Sequence, residues 1–162
     1  MSVRAATLED LNDILKIYGS ARRYMAASGN PTQWGDSYPG EALLTEDIQN
    51  DRCFVCLRHQ KIHGVFVLMI GAEPTYGVIE QGAWKTSEPY GTIHRIASDG
   101  TEKGVFLQCL EFCKQQIPTL RADTHHDNKT MQHLLEKNGF LRCGIITVED
   151  GTPRIAYEYA AA

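Results

Sequence analysis

Residues 94–105 read HRIASDGTEKGV, and they connect a strand-like pattern to a helix-like one. The run at residues 90–97 predicts a strand, and residues 105–116 carry apolar side chains at helical spacing. Gly100 and Gly104 lie in the turn between them, where glycine lets the backbone approach a ligand closely. The first amides of such a helix have no partner within it, so they form an anion site that needs no basic side chain. A plain strand-to-helix turn carries the same glycines, so this segment alone leaves both interpretations open.

The surrounding patterns predict a single domain over residues 1–162. Residues 90–124 run strand, loop, helix, strand, which predicts a parallel β-α-β unit. Asp150-Gly151 lies between two apolar runs and predicts an antiparallel hairpin. Helices are predicted near residues 8–28, 41–49, 105–116 and 128–137. Strands are predicted at residues 3–6, 53–57, 62–70, 77–81, 90–97, 120–124, 141–148 and 154–159. The fold class is therefore α/β (α+β): a mixed, mostly antiparallel sheet of about seven strands flanked by about four helices.

Charge and the lengths of apolar runs argue against several classes of protein. The net charge is −4 and no Lys/Arg cluster is evident, which argues against a nucleic-acid partner. The longest apolar run, residues 64–72, is too short to cross a membrane. The N-terminus has no signal-peptide core, which favours the cytoplasm. Cys53 and Cys56 form a C-x-x-C spacing typical of redox or zinc sites. They lie in a strand-like run, where residues three apart point to opposite faces, so buried thiols in a reducing compartment are predicted.

The element order resembles the GNAT superfamily of acyl-CoA-dependent N-acetyltransferases over nearly the whole chain. The diphosphate motif of that family, Arg/Gln-x-x-Gly-x-Gly/Ala, falls on residues 101–106. Gly104 fits this motif, whereas Thr101 replaces the basic or amide residue and Phe106 replaces the small one. The departure at Phe106 raises the question of whether its ring crowds the phosphates.

A second family pattern, Asn-x-x-Ala…Leu-Tyr-x-x-x-Gly-Phe, falls on residues 128–140. The Asn, the Leu and the terminal Gly-Phe match, whereas Met131 replaces the Ala and Leu135 replaces the Tyr. In the family that Tyr often protonates the leaving thiolate, so the resemblance implies no such acid at Leu135.

The resemblance implies acetyl-CoA as co-substrate and direct transfer of its acetyl group to a primary amine of a small molecule or peptide. It implies that backbone amides of the turn hold the diphosphate, that a strand edge pairs with the pantetheine arm, and that an asparagine approaches the pantetheine or thiol. The residues assigned to these roles are Ile96, Ala97, Thr101, Glu102, Lys103, Gly104, Val105, Phe106 and Asn128. Because the family often forms homodimers, a homodimer is left open. The alternative is a catalytically inactive CoA-binding or regulatory module with the same fold.

Acetyl transfer to an amine needs a base, because the amine must lose a proton before or during attack. Asp123 lies within a predicted central strand, where a carboxylate is costly unless it is hydrogen-bonded or paired, for example with Arg95 or Arg121. Glu80 is a second carboxylate candidate and is equally consistent with an exposed strand position. His94 and His125 are candidates because histidine titrates near neutrality, although either is equally consistent with a buried structural histidine.

The acceptor pocket is predicted to lie under two loops rich in aromatic residues. Trp34 and Tyr38 lie in the first, and Tyr76 and Trp84 lie in the second. Aromatic walls suit an amine-bearing small molecule or a peptide end, and the same side chains suit simple packing of the loops. The run at residues 125–127, His-His-Asp, resembles half of a metal site. Adjacent histidines cannot share one strand face, so no metal is predicted.

Overall fold

A computed structural model describes residues 2–161. The helices are α1 (Leu11–Ala27), α2 (Glu41–Gln49), α3 (Val105–Gln116) and α4 (Lys129–Lys137). The strands are β1 (Ser2–Ala5), β2 (Cys53–Arg58), β3 (Lys61–Ile70), β4 (Gly91–Ser98), β5 (Thr119–Thr124), β6 (Leu141–Thr147) and β7 (Pro153–Ala160). They form one seven-stranded sheet in the order β1-β2-β3-β4-β5-β7-β6, in which β4 and β5 pair parallel and the other neighbours antiparallel. The predicted fold class is confirmed.

Helices cover both faces of the sheet, because the strands carry apolar side chains on both sides. On one face, α1 and α2 pack on the side of β3 that carries Val65 and Val67. On the other face, α3 and α4 pack on the side that carries Phe66 and Leu68. Burial of each such side chain contributes about 1.5–3 kcal/mol to folding. The loop between β3 and β4, residues 71–90, continues the first layer over β5 and β7, where Tyr76 packs near Ala156.

The sheet opens between its two halves. Strands β4 and β5 pair only at Gly91 with Leu120 and at Thr92 with Arg121, and they diverge beyond that point. The register between β3 and β4 shifts between Val65 and Val67, where β4 bulges. Backbone groups of β4 beyond the last pair therefore have no strand partner on the β5 side.

The bulge is held by both helices of the first layer. Arg95 has a φ of 50°, a conformation that is unfavourable for residues other than glycine. The Tyr18 hydroxyl of α1 donates to the Arg95 carbonyl at 2.6 Å. The buried carboxylate of Asp47 in α2 accepts from the Arg95 guanidinium at 2.8 and 2.9 Å. These contacts compensate the cost of the backbone conformation.

The strand predicted at residues 77–81 is wrong. Residues 74–76 form a 3-10 turn, and Glu80 makes only an isolated antiparallel bridge with Ile145 of β6. Gln81 has a φ of 56°, so the extended conformation ends there instead of continuing along the edge of the sheet. The segment is a loop fastened at one point.

The prediction that the thiols of Cys53 and Cys56 are buried is confirmed. All five thiols are buried and free. Cys53 lies in the cluster under α1 and α2, and Cys56 lies in the cluster under α3. Within residues 2–161, no helix combines the length and apolarity that a bilayer crossing requires.

Candidate active site

A cleft of about 740 Å³ occupies the opening between β4 and β5. Its walls come from both faces of the sheet, as the strand register explains. Asp123 pairs with Ala156, which packs under the 71–90 loop, whereas Ala122 pairs with Tyr157 in the core under α3 and α4. His94 pairs with Val67 and so faces α1 and α2. The cleft therefore has a polar half on the α1 and α2 face and an apolar half on the other face.

His94 and Glu73 form a hydrogen-bonded pair in the polar half. The His94 Nε2 lies 3.2 Å from the Glu73 Oε2, and both side chains line the cleft. The hydrogen bond with His94 lowers the pKa of Glu73 to about 2, with further help from Thr75, against the opposing effect of burial. Glu73 is therefore ionised at neutral pH, and it fixes the orientation of the imidazole ring. Sequence reasoning missed Glu73, which follows β3 in a loop with no motif around it.

Asp123 is held by Tyr76 on the opposite wall. The Tyr76 hydroxyl donates to the Asp123 Oδ2 at 2.7 Å. Burial raises the pKa of Asp123, while the hydrogen bond from Tyr76 and the charge of His94 oppose that rise. Burial also raises the pKa of Tyr76 well above its usual value, so the phenol keeps its proton. The arrangement gives a carboxylate of increased basicity at the cleft wall.

The suggested partners of Asp123 are bound elsewhere. Arg95 binds Asp47, and Arg121 binds Glu158 at 2.8 Å. The cost of placing the Asp123 carboxylate in a strand is instead offset by the hydrogen bond from the Tyr76 hydroxyl.

The apolar half extends from the opening to Phe106, in the first turn of α3. It is lined by Ile93, Ile96, Phe106, Met131 and Leu135. The Phe106 side chain packs into the core beneath α3 and is only 8% exposed. A Cβ placed on Gly100 or Gly104 would meet no atom within 4 Å. The ring of Phe106 therefore does not fill the turn.

The turn offers a run of free backbone donors. Gly104 has a φ of 88° and precedes α3 as its N-cap. The Gly100 and Thr101 amides donate to the side chains of Ser98 and Asp99 at 3.1 and 2.9 Å. The amides of residues 102–107 donate to no acceptor within residues 2–161. With the positive end of the α3 dipole they can bind a diphosphate without a basic side chain.

Asn128 caps α4 and lines the cleft. Its Oδ1 accepts from the Met131 amide at 3.0 Å, and its Nδ2 donates to the Gln33 Oε1 at 3.0 Å. The loop at residues 30–40 is thereby linked to α4 across the opening.

The four aromatic candidates have different surroundings. Trp34 and Tyr38 line the cleft. Tyr76 is buried, and only its hydroxyl reaches the cleft residue Asp123. Trp84 does not line the cleft: its ring covers the Arg121 guanidinium at 4.1 Å, and its indole N–H binds the Tyr76 carbonyl.

Two of the four candidate bases do not line the cleft. Glu80 is exposed in its bridge to β6. His125 is buried beside the cleft, with its Nε2 3.4 Å from the Thr32 hydroxyl and its Nδ1 accepting from the Asp127 amide at 3.0 Å. Burial lowers the pKa of His125. The structure thus brings together only His94 and Asp123 of the predicted bases.

Residues 125–127 follow the end of β5 at Thr124, so the argument that adjacent histidines cannot share one strand face does not apply to them. The His125 and His126 rings stack with centroids 4.3 Å apart. One ligand atom from each, and one from Asp127, lie within 4.8 Å of one another. The cluster lies outside the residues that line the cleft.

No family model matches the chain, and a search among curated proteins finds no match. Among solved structures, a GNAT-family acetyltransferase from Streptococcus agalactiae 2603 superposes with a TM-score of 0.90 at 28% identity, over 99% of this chain and 95% of that one. A GNAT-family acetyltransferase from Listeria monocytogenes 4b F2365 superposes with a TM-score of 0.72 at 19% identity, over 99% and 94%. The GNAT-like decarboxylase GphF, in complex with isobutyryl-CoA, superposes with a TM-score of 0.65 at 15% identity, over 99% and 99%. The resemblance predicted from the sequence is confirmed, and the chain has the GNAT N-acetyltransferase fold.

Proposed function

We propose that the protein transfers an acetyl group from acetyl-CoA to a primary amine, by direct attack within a ternary complex. One observation carries this proposal: a single opening through the sheet has two proton acceptors on one face and, on the other, apolar side chains as far as Phe106, in the first turn of α3, where the backbone amides are free. Such a cleft suits a nucleotide thioester entering from the α3 and α4 face and an amine entering from the α1 and α2 face. The two reactants would meet between β4 and β5.

The co-substrate would be held mainly by backbone groups. The amides of residues 102–107 would bind the diphosphate, as the dipole of α3 favours. The unpaired edge of β4 at Ile96 and Ala97 would bind the pantetheine amides as a further strand does. Phe106, Met131 and Leu135 would shield the thioester from water.

The chemical step requires only one proton acceptor. The amine nitrogen attacks the thioester carbonyl, the new C–N bond forms, the C–S bond breaks, and the pair of electrons leaves with the thiolate. An ammonium of pKa roughly 8–10 must first release one proton to solvent, and the nitrogen of the free amine then loses a second proton as it attacks and becomes an amide. Asp123, whose pKa is raised by burial, would take it, and His94 held by Glu73 would pass it to solvent. A thiol pKa of about 8.5 makes the thiolate a good leaving group, so an aliphatic side chain at Leu135 is compatible with turnover.

The proposal is tested by thiol release with a panel of primary amines, alongside thermal stabilisation by acetyl-CoA. We expect saturable release with at least one amine. Asp123→Asn should lower kcat at neutral pH by about 10²-fold or more while acetyl-CoA binding persists. The exposed variant His133→Gln serves as a control, since it lies on α4 outside the cleft.

Two outcomes would contradict the proposal at different points. A rate for Asp123→Asn within about twofold of the parent would reduce Asp123 to a structural role. Stabilisation by acetyl-CoA without thiol release from any amine would instead favour the inactive CoA-binding module.

Two expectations accompany this function. We expect the protein to act in the cytoplasm, because its five free, buried thiols suit a reducing compartment. The homodimer stays a prediction from the family resemblance.

A further inference from the structure

Arg154, at the start of β7, is a buried cation in the wall of the cleft. It is 6% exposed and lines the polar half. Its Nη1 donates to the Thr152 hydroxyl at 2.7 Å and to the Pro153 carbonyl at 3.0 Å, and its Nη2 donates to the Gln33 carbonyl at 3.4 Å. All three acceptors are neutral. Within residues 2–161, no carboxylate lies within 4.0 Å of this guanidinium.

Two other arginines of the interior, in contrast, form ion pairs. Arg95 and Arg121 each have a buried carboxylate partner, Asp47 and Glu158. A buried charge without a counter-ion is costly, and proteins normally pair it. The charges of Asp123 and Asp150 act on Arg154 without direct contact, and Asp150, an exposed residue, reaches it only through the Thr152 hydroxyl.

The remaining donors of Arg154 suit a carboxylate. Of its five N–H groups, three are used by the neutral acceptors. The Nε–H and one Nη2–H have no acceptor within the described residues. An arginine fork of this kind binds a carboxylate through two parallel hydrogen bonds.

Arg154 lies close to the predicted base. Asp123 pairs with Ala156 across β5 and β7, and Arg154 precedes Ala156 by two residues on the same strand face. Diagonal neighbours of this kind have Cα atoms about 7–8 Å apart. One small molecule can therefore reach the guanidinium with one group and Asp123 with another.

We propose that the acceptor is an amino acid, in the sense of a small molecule that carries both a primary amine and a carboxylate, and that Arg154 binds the carboxylate. This inference rests on the acyltransferase function proposed above. The carboxylate of the bound acceptor supplies the missing counter-ion, and its position turns the amine toward Asp123 and His94. Glu149 and Asp150 lie at the rim, so a second acidic group on the acceptor would meet repulsion there.

The test compares amino acids with their carboxamides, which keep the amine and remove the negative charge. For the parent protein we expect a ratio of kcat/KM, acid to amide, of at least about tenfold. Arg154→Gln should bring that ratio close to one, mainly by raising KM for the acid, with acetyl-CoA binding kept. Arg154→Lys keeps the charge but loses the fork, and we expect an intermediate ratio. The exposed variant Arg23→Gln is the control.

A direct binding experiment separates this inference from the reaction itself. Calorimetric titration of the CoA-bound parent with the amino acids should give saturable binding that Arg154→Gln loses. If such binding occurs while no amine releases thiol, the acyltransferase proposal fails and the carboxylate site stands. Equal kcat/KM for acids and amides in the parent, or no amino-acid binding that depends on Arg154, would overturn the inference. If the variants fold poorly, the comparison of kcat/KM for acids and amides in the parent protein still tests the inference.

Discussion

Gly104→Asp is the most direct perturbation of the turn before α3. Gly104 is exposed, and a Cβ there meets nothing within 4 Å, so the new side chain fits sterically. Its φ of 88° costs a non-glycine residue about 1 kcal/mol, although Asp and Asn tolerate it best. Gly104→Asn therefore shares the backbone cost and the size of the aspartate without its charge, which makes it the matched control.

The magnitude follows from the charge placed among the free amides. Two like charges 4 Å apart in water repel by about 1 kcal/mol, and the effect grows as the local dielectric constant falls. A diphosphate carries one charge on each phosphate, so the carboxylate should cost about 2 kcal/mol of binding at least. That corresponds to an affinity for acetyl-CoA about 30-fold weaker than that of Gly104→Asn.

The assay is calorimetric titration of both variants with acetyl-CoA at two salt concentrations. The difference between Asp and Asn should shrink as salt rises, because exposed charges are screened. The free energies of unfolding of the two variants should agree closely. Equal affinities for Gly104→Asp, Gly104→Asn and the parent would refute the diphosphate site, and with it the direction in which we place the co-substrate.

Three further predictions concern groups around the cleft and in the core. Because the pKa of Glu73 falls from its usual 4.5 to about 2 on folding, its charge stabilises the protein above pH 4.5, and this stabilisation is lost as the pH falls toward 2. With solvent screening included, Glu73→Gln should lower the free energy of unfolding in urea by about 2 kcal/mol at pH 6 and by much less at pH 2.5. Tyr76→Phe removes a hydrogen bond that lowers the pKa of Asp123, so that pKa should rise and the pH profile of kcat/KM should move to higher pH. An unmoved profile would argue against Asp123 as the base. Burial raises the pKa of Cys53 and of Cys56 to about 12, so maleimide should label neither in the native protein and both in denaturant, whereas rapid native labelling would revive the redox interpretation.

The fold was largely predictable from local patterns. Helical spacing and apolar runs placed all four helices and seven of the eight predicted strands, because those segments carry the periodicity that their burial requires. The exception, residues 77–81, has the composition of a strand but no neighbour to pair with over its length. Pairing is a property of the assembled sheet, and a single sequence does not reveal it.

The site was predictable only in part. Periodicity placed Asp123 in a central strand and His94 in the strand before the turn. Their partners Glu73 and Tyr76 lie in a loop whose path across the sheet no local pattern encodes. Arg154 could not be predicted from the sequence, because its distinguishing feature is the absence of a carboxylate partner among the described residues. That absence is visible only when the packed neighbours are known.

The left-handed residue in β4 makes the shape of the cleft depend on the two helices that pack beside it on the sheet. Tyr18 and Asp47, from α1 and α2, keep Arg95 in a conformation that it would otherwise leave. Local opening of a helix requires less free energy than global unfolding. Loosening of α1 or α2 would let the Arg95 backbone relax and the His94 side chain turn with it. Mild heat or denaturant should therefore abolish the activity while the circular dichroism signal of the strands is still intact.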